Sequence, residues 1–305
     1  MRSKLKWIVP LLIIAALSLF YLWPVTRVSF NELYAKVDPA IVSSLRSFRQ
    51  AYPPRQLQVN GVMWEYIAAG QGQEAILFLH GMAGACDIWW QQINALRGQY
   101  RIIAVTYPPL RTLEELEKGV LSVLKKEGVK DFNIVGTSLG GYFAQYLVTR
   151  HPHRVRRAVL SNTFPPNDLI AEKNRILATI LPYLPEWLVL SVFRDRFEQT
   201  IYPTSGNDEL TLAFLNEVGY GRINKAHLVG RYYCVIDKFV PSAPPIPVMI
   251  IESDNDPLVE LTLREQLKAT YPRATVYTFS GAGHFPYLNH AQEYSQLLVD
   301  FLSKP

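Results

Sequence analysis

A chain of 305 residues that is 49% hydrophobic and 19% charged can bury a sizeable core, which excludes a disordered or fibrous protein and suggests one large domain or two small ones. Its 31 basic and 26 acidic residues give a formal charge of +5, with the two signs interspersed. The densest basic run, "RHPHRVRR" at Arg150 to Arg157, lacks interleaved aromatics and sits where a helix should give way to a strand, so a solvated basic surface is expected and nucleic-acid binding is not. Two cysteines, Cys86 and Cys234, are too few for a disulfide framework and have no zinc-type spacing; free buried thiols are expected, with a single bridge as the alternative.

The first element is the N-terminus. Arg2, Lys4 and Lys6 precede an uncharged run from Trp7 to Val25, about long enough to cross a hydrocarbon core as a helix. The run ends in "LFYLWPV", with bulky aromatics where a signal peptidase would need small residues, so the pattern predicts an uncleaved signal anchor over residues 1–28. The basic tail assigns the N-terminus to the cytoplasm and the rest of a single-pass membrane protein to the extracytoplasmic side. Residues 29–54, "SFNELYAKVDPAIVSSLRSFRQAYPP", have helical spacing broken at Pro39 and closed by Pro53 and Pro54, as in a helical spacer.

Residues 55–305 read as one domain. "LQVNGVMWEYIAAG" places two apolar-rich runs around Asn60 and Gly61, the dipeptide best suited to a tight hairpin turn. "EAILFLH" (Glu74 to His80) and "RIIAVTY" (Arg101 to Tyr107) are short apolar strands separated by a helical segment from Asp87 to Leu96. "LEELEKGVLSVLKKEG" is an amphipathic helix, "FNIVG" a buried-type strand and "YFAQYLVTRH" a helix; "RRAVLSN", "PVMIIES", "LTLREQLKATY", "ATVYTFS" and "QEYSQLLVDFL" continue as strand, strand, helix, strand, helix. This order predicts an α/β fold with a mostly parallel central sheet covered by helices on both faces. Between "LSNTF" and "PPIPVMII", at about 165–244, no strand pattern occurs; apolar helices broken by prolines predict an inserted helical cap.

"FNIVGTSLGGYFAQ" carries the sharpest chemical signal. Gly136, Thr137, Ser138, Leu139 and Gly140 form G-x-S-x-G between a strand and a helix, where a serine on a sharp, strained turn needs neighbours without side chains. A nucleophilic serine requires donors for the oxyanion of its tetrahedral intermediate, and "FLHGMAGACDIWW" offers them: the amide of Met82, after His80 and Gly81, would join that of Leu139. His80 is expected to brace this loop rather than to act as base. "VMIIESDNDPLVE" puts Glu252, Asp254 and Asp256 past a buried strand. Asp256 is the expected orienting acid, because a proline follows it directly and fixes its position, and Asp254 is the alternative. His284, after a strand and a glycine-rich turn, is the expected base, whereas His290 opens the last helix and receives a structural role. His151, His153 and His227 read as solvated.

Together the His-Gly loop, the G-x-S-x-G elbow, a late aspartate and a last histidine resemble the α/β-hydrolase family over roughly Gln56 to Leu302. "TYPP" after the "RIIAV" strand, "GTSLGGYFAQ", "LSNTF" and "FPYL" are similar to maspardin-like proteins. The Asp-x-x-Gly-x-Gly-x-Ser turn of many α/β-hydrolases is replaced by Thr106, Tyr107, Pro108 and Pro109, a departure that the maspardin-like group shares. In maspardin the position of the triad histidine is not histidine, which implies a binding role there; here His284 is present. The resemblance implies a serine hydrolase of carboxylesterase, lipase or thioesterase type acting on an ester, thioester or amide, which the N-terminal run would anchor to a membrane. No metal or organic cofactor is expected. The expected partners are a small ester-like molecule, with Leu181, Leu184, Trp187 and Leu188 suiting a hydrophobic acyl group, and a membrane through the N-terminal helix. A non-catalytic binding or adaptor protein on the same fold is the alternative.

Overall fold

In the computed structural model, which describes residues 2–303, the helices α1 (Arg2–Tyr21), α2 (Phe30–Leu33) and α3 (Pro39–Ala51) precede a hairpin of β1 (Arg55–Val59) and β2 (Val62–Ala69). At the hairpin tip Asn60 (φ 50°) and Gly61 (φ 81°) are both left-handed, the geometry of a type I′ turn whose twist matches its strands. Then come β3 (Ala75–Leu79), a 3₁₀ turn (Cys86–Trp89) leading into α4 (Trp90–Leu96), β4 (Arg101–Thr106), α5 (Leu113–Lys126), β5 (Phe132–Thr137), α6 (Leu139–Arg150) and β6 (Val155–Ser161). A run of helices follows: α7 (Leu169–Ile180), α8 (Glu186–Arg196), α9 (Tyr202–Thr204), α10 (Glu209–Glu217) and α11 (Lys225–Ile236). The chain returns to the sheet with β7 (Val248–Ser253), α12 (Leu261–Thr270), β8 (Thr275–Phe279), α13 (Pro286–Asn289) and α14 (Ala291–Leu302).

The sheet has eight strands in the order β1-β2-β4-β3-β5-β6-β7-β8, antiparallel at β1, β2 and β4 and parallel from β4 onward. Continuous apolar runs become strands buried on both faces: every residue of β3, β5 and β7 is buried. Ile76 and Phe78 join one layer with Trp89, Trp90 and Leu298, while Leu77 and Leu79 join the opposite layer with Ile103, Val120 and Phe143. From β3 the chain winds to one side through β4 and to the other through β5, so the crevice at the carboxyl ends of β3 and β5 is the topological switch point where such sheets bind ligands.

The N-terminal segment differs from the expected anchor. No helix among the described residues is long and apolar enough to cross a membrane, which overturns the reading of a single-pass membrane protein with an extracytoplasmic domain. The helix stops at Tyr21, short of Val25, and contains Pro10. Its uncharged part from Trp7 onward spans roughly 22 Å at 1.5 Å per residue, against about 30 Å of hydrocarbon. The basic tail of Arg2, Lys4 and Lys6 lies outside the residues whose side chains are described. The end of α1 rests on the helices between β6 and β7: Trp187 Nε1 donates to Phe20 O at 2.8 Å, and Lys225 Nζ lies 3.3 Å from Tyr21 Oη. Trp187 is thereby engaged by α1, while Leu181 and Leu184, both partly buried, pack against the core.

The segment after α1 is tied down by charge. Arg49 of α3 bonds Asp87 at 2.8 Å and Glu217 at 2.9 Å, Arg222 bonds Asp87 at 2.7 Å, and Tyr34 donates to Glu217 at 2.7 Å. Burial pushes the Asp87 carboxyl up, but Arg222 and Arg49 outweigh it and hold the group below its usual range. Cys86 and Cys234 are both buried and free. Two histidines read as solvated have partners: His151 meets Glu117, and His227 closes a capping box with Asn224 at the start of α11.

Candidate active site

Five neighbouring strands deliver the candidate groups to one sheet edge. Parallel pairing sets Leu79 beside Gly136, Thr137 beside Ser161 and Ser253 beside Phe279, so the turns after β3, β5, β6, β7 and β8 open side by side. Ser138 joins β5 to α6 with φ 53° and ψ −123°, a left-handed conformation that costs a non-glycine residue roughly 1–3 kcal/mol. The turn is held by Ser138 N donating to Ser161 O at 3.0 Å and by Thr163 Oγ1 donating to Ser138 O at 2.7 Å. The flanking glycines are required by close approach: a Cβ on Gly136 would lie 2.2 Å from Gly140 O, and one on Gly140 would lie 2.1 Å from Leu79 O. Backbone cannot yield as a flexible side chain can. Gly136→Ala is therefore expected to cost about 2–3 kcal/mol, read as a lowered midpoint of urea unfolding.

His284 and Asp256 meet. His284 Nδ1 lies 3.0 Å from Asp256 Oδ1 and 2.9 Å from Oδ2, with both residues buried. Because an ionised carboxylate only accepts, Nδ1 carries the proton and Nε2 is left as the basic nitrogen of the neutral ring. Asp256 is further held by the amides of Leu258 (2.8 Å) and Val259 (3.2 Å) on Oδ1 and by Asn162 Nδ2 (2.9 Å) on Oδ2. Burial raises its pKa, but the attraction of the His284 ring when protonated and the bonds from His284, Asn162 and Leu258 prevail and keep the carboxyl below its usual range. Asp254 turns elsewhere, accepting from Ser280 Oγ and Gly281 N, and Glu252 meets Lys268 and Thr278. The His290 ring packs tilted against Phe279, with centroids 5.6 Å apart, and lies 3.9 Å from Glu293.

The turn after β3 reaches the serine from the other side. An ideal Cβ on Gly81 would lie 3.0 Å from Ser138 Cβ, so that turn sits directly against the nucleophile candidate. His80, fully buried, donates through Nδ1 to Gly81 O at 2.6 Å and accepts from Tyr107 N through Nε2 at 3.3 Å, which fixes one neutral tautomer. In a planar trans peptide the C=O and N–H point in opposite directions, so drawing Gly81 O toward His80 aims the Met82 N–H away from it. The second candidate donor, Leu139 N, belongs to the first turn of α6, where helix amides have no intrahelical partner. Gly84 completes the brace, since a Cβ there would lie 2.5 Å from His80 Cβ.

Burial, then the nearby Arg231 charge, push the His80 pKa well below its usual value near 6.5. The sign follows: the folded protein keeps His80 neutral while the unfolded chain takes up a proton, so this contribution is present above about 6.5 and is lost as pH falls below it. Stability is expected to drop by up to about 1.4 kcal/mol per pH unit from this group. Urea unfolding between pH 7.5 and 5 checks it, because His80→Gln should flatten that part of the slope.

Asn162 has no role in the sequence-based reading. It sits at φ 41° directly after β6, and its amide also lies 3.4 Å from Ser253 Oγ and 3.3 Å from Gly283 O. The available signal was an asparagine, the residue most tolerant of left-handed φ after glycine, ending a buried strand in "LSN".

Comparison with known proteins agrees with this architecture. Residues 112–291 match the family model described as alpha/beta hydrolase fold. The chain is 26% identical over 271 residues to a 2-hydroxy-6-oxononadienedioate/2-hydroxy-6-oxononatrienedioate hydrolase of Pseudomonas sp, covering 77% of this chain and 90% of that protein. It is 24% identical over 257 residues to maspardin of Danio rerio, covering 81% of each. Among solved structures, the enol-lactonase from Burkholderia xenovorans LB400 superposes with a TM-score of 0.71 at 18% identity, covering 82% of this chain and 100% of that one. With the sheet order, the elbow at Ser138 and a family match over residues 112–291, the chain belongs to the alpha/beta hydrolase fold family.

Proposed function

We propose that the protein is a serine hydrolase that cleaves an ester or thioester through an acyl-enzyme. Ser138 is the nucleophile, His284 the general base and then general acid, and Asp256 the carboxylate that orients the ring and stabilises its charged form. His284 Nε2 takes the Ser138 hydroxyl proton as Oγ attacks the acyl carbon. The Met82 and Leu139 amides receive the oxyanion, and the protonated ring then delivers its proton to the leaving alcohol or thiol. Water attacks the acyl-enzyme by the same sequence and releases the acid. The observation that carries this reading is the buried His284–Asp256 pair, which leaves Nε2 basic, at the same sheet edge as a serine held at positive φ.

An apolar acyl group suits the helices over this edge, where Ile176, Leu177, Ile180 and Tyr183 stay exposed on α7 and the turn after it. The likeness to a 2-hydroxy-6-oxononadienedioate/2-hydroxy-6-oxononatrienedioate hydrolase supports hydrolysis as the reaction class, and the likeness to maspardin supplies a second reading, a binding protein on the same scaffold. The presence of His284 favours catalysis. The test is intact-mass analysis of the folded protein after a fluorophosphonate, together with turnover of p-nitrophenyl esters from acetate to dodecanoate. A single phosphonyl adduct with turnover supports the hydrolase; a folded protein that neither labels nor turns over is a binding protein.

A further inference from the structure

A buried guanidinium held by backbone oxygens is the anomaly from which the inference starts. Arg231 sits in α11, "KAHLVGRYYCVI", and is 1% exposed, yet among the described residues no carboxylate pairs with it. Its partners are backbone oxygens: one terminal nitrogen donates to Met82 O at 2.6 Å and Gly84 O at 3.1 Å, and the other donates to Tyr107 O at 3.2 Å. Its Nε has no partner. Burying a guanidinium this way is costly, and a packed apolar residue would fill the same volume without that cost. The cost needs a return.

The return is visible in where the three carbonyls lie. The two peptide planes that flank Met82 are pinned independently, the one before it by His80 on Gly81 O and the one after it by Arg231 on Met82 O. Tyr107 links the two pins: its amide feeds His80 Nε2, its carbonyl receives Arg231, and its ring lies 4.1 Å from the His80 ring. The helix comes close enough to do this because position 230 is glycine, where a Cβ would lie 2.5 Å from Leu110 O. We propose that Arg231 is a positioning residue that aims the Met82 amide at the oxyanion from beneath the turn, making helix α11 a fixed part of the catalytic frame rather than a movable lid. The proposal rests on the serine-hydrolase reading above.

Such a residue acts on the transition state, because the oxyanion exists only there. With p-nitrophenyl butyrate as substrate, Arg231→Gln is expected to lower kcat on the order of a hundredfold, and Arg231→Lys by a smaller factor, while KM changes by less than about twofold in each. Affinity for a trifluoromethyl ketone bearing the same propyl chain should fall by the same factor as kcat, and thermal unfolding shows whether each variant is folded. Lysine, which keeps the charge and can reach one of the carbonyls, should recover part of the loss. Unchanged kcat in either folded variant overturns the proposal, as does a rise in KM alone, which would make Arg231 a substrate contact. If both variants unfold, Arg231 belongs to the fold and the proposal also falls. A wild-type protein without turnover removes the hydrolase reading itself and this inference with it, a result distinct from an active wild type with active variants.

Discussion

Ser138→Ala and His284→Ala are each expected to lower ester turnover by roughly 10⁴-fold or more and to abolish fluorophosphonate labelling. Alanine at 138 removes the hydroxyl proposed to attack the acyl carbon, and the half-exposed serine side chain donates no hydrogen bond among those of the described residues. Its melting temperature should therefore stay within a few degrees of wild type. His284→Ala removes the proposed base and leaves Asp256 with only Asn162 and the Leu258 and Val259 amides, so it should lose both activity and stability. Neither loss should add to the other in the double variant, because the two side chains act as one unit. Intact-mass labelling and kcat with p-nitrophenyl esters read the result. A Ser138→Ala protein that still labels at the wild-type rate would place the nucleophile elsewhere, with Ser161 and Ser253 the nearest serines along the same edge.

The parts of this fold that could be read from the chain are those set by local pattern. Apolar runs such as "AILFL" and "FNIVG" are strands because both faces of a parallel sheet are covered, and the Asn60 and Gly61 hairpin forms because two successive left-handed residues match strand twist. The meeting of His284 with Asp256 was legible through order and strand ends, since both positions follow strands that pair in register. The failures are tertiary. The N-terminal run looked long enough when every uncharged residue was counted, but the helix ends at Tyr21 and its last turn contacts Trp187 and Lys225. Asn162 and Arg231 were invisible for the same reason: one acts across 94 residues on Asp256 and the other across 149 residues on Met82, distances at which spacing carries no signal. The "TYPP" departure from the usual family loop also acquires a physical role, because Tyr107 bonds both His80 and Arg231.

Asp256→Asn is expected to lower kcat by about 10⁴-fold while leaving the fold intact, and the surrounding donors explain why the substitution is not silent. Oδ1 of Asp256 faces the amides of Leu258 and Val259, so the oxygen of an asparagine is drawn there and its NH₂ is forced onto the side of Asn162 and His284. Nδ1 lies 2.9 Å from that place and 3.0 Å from Oδ1, so the NH₂ replaces one of its two acceptors with a donor; when that donor turns Nδ1 into the acceptor, the ring proton moves to Nε2 and the base is lost. Asn162 cannot absorb the change by turning over, because its NH₂ also lies 3.3 Å from Gly283 O. Stability shifts in a definite direction too. The Asp256 pKa is lowered in the folded state, so its contribution is present above the unfolded value near 3.8 and lost as pH falls through the folded one. Urea unfolding between pH 7 and 3 should show this component in the wild type and not in Asp256→Asn. Asp254→Asn is the decisive companion, because Asp254 bonds Ser280 and Gly281 rather than His284. It should keep kcat within about threefold, as expected for an exposed carboxylate outside the site. A reversed pair of results, with Asp254→Asn inactive and Asp256→Asn active, would move the orienting acid to Asp254.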